Sequence, residues 1–110
     1  MTYKEKTFRF KVAVGIILRK LREEKSTDGK PFTQNSLNDE ILLEYKKAWN
    51  SAREESLPNT RLDNLFLISD FFGVPLEQFF RKVSEVTEEE INHEIRSKRK
   101  LLKLCKDLKN

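Results

Sequence analysis

Apolar residues recur at helical spacing through most of this chain. Phe10, Val14, Ile17, Leu18 and Leu21 form one stripe, with Arg19, Lys20, Arg22 and Glu23 mostly on the other face, which predicts a first helix from about Phe10 to Lys25. Phe8, Phe10, Val12 and Val14 also alternate, so a short strand over 7–14 competes with the start of that helix. The turn formers Ser26-Thr27-Asp28-Gly29-Lys30-Pro31 predict a loop. Thr33 is placed to cap a second helix, with Phe32 and Leu37 as a hydrophobic staple across the cap.

From Asn38 to Glu55 the pattern is open between two readings. Ile41, Tyr45, Ala48/Trp49 and Ala52 share a helical face, and no Gly or Pro interrupts them. One long helix and two helices broken near Asn38-Asp39-Glu40 both satisfy it. After a loop at Ser56-Leu57-Pro58-Asn59, Thr60 is expected to cap a further helix, answered by Asp63, with Leu62, Leu65, Ile68 and Phe72 inward and Gly73 as its left-handed end. Pro75 opens a short helix to Val83, on which Leu76, Phe79 and Phe80 pack back. Thr87 and Glu90 make a capping box for a last helix reaching about Leu108, with Ile91, Ile95, Leu102 and Cys105 on its stripe.

With 110 residues, the chain has room for one core. All eight phenylalanines, Phe8, Phe10, Phe32, Phe66, Phe71, Phe72, Phe79 and Phe80, are candidate anchors for it. Charge alters the picture through its distribution. The net value is +4, yet residues 1–30 and 91–110 each carry +5, while 31–60 carry −2 and 61–90 carry −4. Basic ends suit a polyanionic partner and equally suit simple solubility. Cys105 is the only cysteine, so no internal disulfide forms and a cytoplasmic location is expected. The apolar run Val12–Leu18 is too short to span a membrane, and the cations after it do not fit a signal peptide. His93, the only histidine, has no neighbour at metal-ligand spacing, and Cys105 reads as packing. No metal, cofactor or enzymatic activity is expected.

Three stretches carry a family resemblance. Gly15-Ile16-Ile17-Leu18-Arg19-Lys20-Leu21-Arg22-Glu23-Glu24-Lys25 resembles the first helix of Xre-type, phage-repressor-like helix-turn-helix regulators. Phe32-Thr33-Gln34-Asn35-Ser36-Leu37 is similar to the opening of that family's second helix. The run from Asn59 to Phe80, above all Leu65–Phe80, is similar to its fourth helix, loop and fifth helix without a gap. The resemblance spans roughly residues 10–83. It departs in the middle, where Asn38 stands in place of the usual Ala, no turn Gly is present, and Arg53-Glu54-Glu55-Ser56 replaces Ile-Glu-Arg-Gly.

The resemblance implies an all-α fold: a compact five-helix domain over 1–85, with residues 86–110 as an added helix. It implies a transcriptional regulator that binds double-stranded DNA. Thr33 and Gln34 would meet a phosphate, and a recognition helix within 44–53 would enter the major groove. On that helix Lys46, Asn50 and Arg53, spaced i, i+4, i+7, would address base edges, with Lys47 and the Tyr45 hydroxyl toward phosphate. Trp49 reads as core. The added helix serves either a homodimer interface or packing within its own chain, and its cations would add phosphate contacts. The alternative is a diverged scaffold acting as a protein-interaction or antitoxin-like module, favoured by the mixed charges over 40–55, which an ordinary solvated helix also shows.

Overall fold

The structure, a computed structural model, describes residues 1–26 and 28–109. Among these the chain is all-helical: α1 (Tyr3–Glu24), α2 (Gln34–Tyr45), α3 (Ser51–Glu54), α4 (Leu62–Phe72), α5 (Leu76–Ser84), α6 (Glu88–Ser97) and α7 (Arg99–Lys109).

The position of α1 follows from its sequence. Val12 through Leu18 are buried without interruption, so this stretch is enclosed on every side rather than along one stripe. α5, α6 and α7 pack on it, and at Gly15 the backbone of Glu55 and Ser56 comes so close that an added Cβ would lie 3.1 Å from both carbonyl oxygens. The helix begins earlier than its apolar stripe suggests, because Thr2 and Glu5 form a capping box ahead of it. The alternation over 7–14 therefore lies inside a helix. In the following loop Asp28 and Gly29 take positive φ, while residue 27 lies outside the described residues.

The core gathers Phe8, Leu21, Phe32, Leu37, Ile41, Trp49, Leu67, Ile68, Phe79, Val83, Ile91, Ile95 and Leu101 around the buried run of α1. Three of the phenylalanines expected there are not in it: Phe10, Phe66 and Phe80 are exposed. On α4 Ile68 is buried and Leu65 and Phe72 pack against the core as expected; Leu67 is buried beside them, whereas Leu62, in the first turn, is exposed. Thr60 does not cap α4. Its hydroxyl donates instead to the carboxylate of buried Glu54 at 2.6 Å, and the helix starts after Arg61 with no side-chain cap. A buried carboxylate loses far more by lacking a donor than a solvated helix end does. Gly73 (φ 66°) ends α4 in the left-handed region, and Pro75 opens α5.

The predicted last helix is two. Thr87 and Glu90 form the expected capping box. At Lys98 the chain is extended (φ −120°, ψ 116°), and the Lys98 ammonium reaches Glu94 Oε2 at 2.8 Å and the Glu55 carbonyl at 3.1 Å. Ile91, Ile95 and Leu101 lie in the same core as α1. Polar contacts reinforce that packing: Arg9 pairs with Glu88, Arg19 with Glu94, and Lys20 with Glu90.

Candidate nucleic-acid interface

The segment expected to hold a recognition helix is mostly turn. α2 runs to Tyr45, twelve residues in all, and Lys46 closes it in the left-handed conformation (φ 59°, ψ 33°). Residues 47–50 are non-helical, and α3 has only four residues. The break is therefore at 46–50, not at 38–40. Lys46, Asn50 and Arg53 do not share one helix face: Lys46 caps the end of α2, Asn50 caps the start of α3, and only Arg53 is within α3. The physical reason lies at both ends. The Lys46 N–H closes α2 onto the Leu42 carbonyl, and Asn50 Oδ1 opens α3 by accepting from the Arg53 N–H at 3.1 Å, while Trp49, between the two caps in sequence, is buried.

What holds α3 in place is a compact polar network. Asn38 Oδ1, on α2, accepts from both the N–H and the hydroxyl of Ser51, at 3.0 and 2.7 Å, and the same hydroxyl lies 3.3 Å from the Gln34 carbonyl. Ser51 is fully buried. At the other end of α3, Glu55 receives Arg22 Nε at 2.8 Å, Arg22 Nη2 at 3.1 Å and Gln34 Nε2 at 3.1 Å, while Arg22 Nη1 donates to the Phe32 carbonyl at 2.7 Å. The Glu55 bonds raise the Arg22 pKa further, against the opposing effect of burial. Through these contacts α3 packs on the first turns of α2; Asn50, Ala52 and Arg53, around buried Ser51, are exposed, as are Thr33 and Asn35 on either side of Gln34.

The seven expected site residues divide accordingly. Thr33 caps α2, accepting from the Ser36 N–H at 3.0 Å, and stays exposed. Gln34 is turned inward, its amide spent on Glu55. Tyr45 and Lys47 are drawn away to α4: the Tyr45 hydroxyl donates to Asp70 at 2.7 Å, and Lys47 pairs with Asp63 at 3.2 Å. Burial, then the Asp70 bond, raises the Tyr45 pKa, and the Lys47 contact lowers that of Asp63. Arg53 uses Nε on Glu54 at 3.1 Å, leaving both terminal nitrogens without a protein partner among the described residues. Asn50 keeps its amide nitrogen, and Lys46 its whole ammonium.

The residues that matter most to the geometry are not legible in the spacing pattern. Glu54 and Glu55 read as solvated charges but are 3% and 2% exposed. Asn38 read as a mismatch, yet it anchors α3. Asn35, exposed with no side-chain partner among the described residues, joins the candidate surface. The available signal was the pairing of two adjacent glutamates with a Gln and an Arg in other segments. Spacing alone cannot choose which carboxylate is buried.

A second surface adjoins this one. Leu42 and Leu43 are 54% and 74% exposed on α2, next to Asp39, Glu40 and Glu44, none of which has an ion-pair partner among the described residues. His93 is exposed, and no group of His, Cys, Asp and Glu among the described residues is arranged to hold a metal. No helix there is long and apolar enough to cross a membrane. Compared with family models, curated protein sequences and solved structures, the chain gives no match.

Proposed function

We propose that the chain is a sequence-specific DNA-binding regulator of the repressor type, with α2 and α3 as its reading head. The observation that carries this is the docking of α3 across the first turns of α2 by Ser51, Asn38, Gln34 and Glu55. That docking supports a surface on which Thr33 and Asn35 approach a phosphate at the start of α2. The free amide nitrogen of Asn50 and the free terminal nitrogens of Arg53 then donate to base edges, the first to a purine N7 and the second to guanine O6 and N7. Gln34 serves as a positioning residue. Lys46 adds a cation at the rim. A four-residue α3 reaches few bases, so useful specificity calls for paired half-sites and a homodimer.

The test is selection from a random pool of DNA duplexes at low and then physiological salt. An enriched motif, with two short half-sites, is the expected result. Retention only at low salt, with no enriched sequence, overturns the proposal.

A second reading rests on exposed Leu42 and Leu43 beside unpaired Asp39, Glu40 and Glu44. An apolar, acidic face repels phosphate and suits a basic, apolar protein segment. On this reading the scaffold is a protein-interaction or antitoxin-like module. The same selection separates the two, since this reading expects no motif.

A further inference from the structure

α7 leaves its polar side unmatched. Leu101 is buried, and Leu104 and Leu108 pack against the core from the same half of the helix. On the opposite side Arg99, Lys103 and Lys106 fall at i, i+4 and i+7, one stripe about 10 Å long at 1.5 Å per residue. Lys100 flanks the stripe, and Arg96 precedes it at the end of α6. All five cations are exposed, and none has an ion-pair or hydrogen-bond partner among the described residues. Asp107 is the one carboxylate in α7. Elsewhere in the molecule many cations have carboxylate partners, as Arg9, Arg19, Arg22, Lys47 and Lys98 do.

The stripe also has a defined place. Lys98, the residue just before α7, donates to the Glu55 carbonyl at the end of α3. The basic helix therefore starts beside the α2–α3 unit rather than at a remote end of the molecule.

We infer that the Arg99, Lys103 and Lys106 stripe of α7 is a binding site for the phosphate backbone of duplex DNA, acting without regard to sequence. The inference deepens the regulator reading, placing the contact on the flank of the same duplex. Held against the phosphate backbone, lysine and arginine on one helical stripe contribute charge and carry no sequence information. Each phosphate neutralised releases counterions, so the stripe steepens the salt dependence of binding.

The experiment uses the full chain and a random-sequence duplex, with affinity measured from about 50 to 200 mM salt. R99Q/K103Q/K106Q is compared with K6Q/K30Q/R61Q, which removes the same charge from exposed sites outside α7. The stripe variant is expected to make the slope of log affinity against log salt shallower by about 2 to 3, from roughly 0.9 per phosphate contact. The control variant is expected to change it by less than about 1. Equal slopes in the two variants, or a stripe variant matching the wild type, overturn the inference, as does a wild-type chain that holds no duplex at about 50 mM salt. Loss of random-duplex binding in the stripe variant, alongside a selection that yields no motif, would sustain the stripe and reject the reading head.

Discussion

Arg22 and Glu55, 33 positions apart, meet in a two-pronged ion pair, with Arg22 Nε 2.8 Å from one carboxylate oxygen and Nη2 3.1 Å from the other. Their side chains are 13% and 3% exposed. Through this pair the first helix sets the position of α3, a helix too short to place itself.

Removing one partner leaves the other charge buried. R22M is therefore expected to lower unfolding free energy by about 3 kcal/mol, measured by urea titration. The double variant R22M/E55Q should recover part of that loss, because the uncompensated carboxylate is gone. A single variant within about 0.5 kcal/mol of wild type would show that the pair does not hold the fold.

Gly15 tests how closely α1 and α3 approach. Alanine in a helix interior gains up to about 1 kcal/mol over glycine. Here the new Cβ would sit 3.1 Å from the carbonyl oxygens of Glu55 and Ser56. That backbone cannot easily retreat, since Lys98 holds the Glu55 carbonyl and Arg22 its carboxylate. Overpacking costs about 1 to 3 kcal/mol. G15A should therefore lower the melting temperature, and a rise would mean the contact yields.

How far sequence pattern reaches can be seen by comparing the two kinds of site. Gly73, the Thr87–Glu90 box and the Thr33 cap were readable, because each depends on residues within a few positions of each other. The Thr2–Glu5 box has the same spacing but lies ahead of the apolar stripe, which begins later. Glu55, Asn38 and Lys98 act through partners 13 to 43 positions away, and periodicity carries no information about them. The turn at 46–50 was hidden for another reason: it uses Lys46 where a glycine is the usual signal.

Lys46 separates stability from binding. A left-handed non-glycine residue costs about 1 to 2 kcal/mol, and glycine relieves it. K46G should raise stability by about 1 kcal/mol in urea titration. In the same variant, affinity for a selected duplex should fall several-fold as the cation is lost. Unchanged affinity would remove Lys46 from the interface.

Glu94 gives the molecule an acid-sensitive clasp. Burial pushes its pKa up, but hydrogen bonds from Lys98 and Arg19 outweigh this and hold it below the ordinary 4.5. A carboxylate with a depressed folded pKa stabilises fully above its ordinary value, and the contribution disappears as pH falls through the folded one. E94Q should therefore have a lower urea midpoint than wild type at pH 7, with the gap closing toward pH 3. A gap of constant size would rule out this carboxylate as the source.

Lys98 interrupts what would otherwise be one helix, and its ammonium spans from its own element to the carbonyl at the end of α3. The C-terminal third is thereby a splint for the shortest helix in the molecule. Helices added to a domain can be shed without changing its centre when they merely rest on the outside. Here, shortening the chain before residue 98 would release the far end of α3, the segment proposed to read DNA, so the tail and that segment are mechanically coupled.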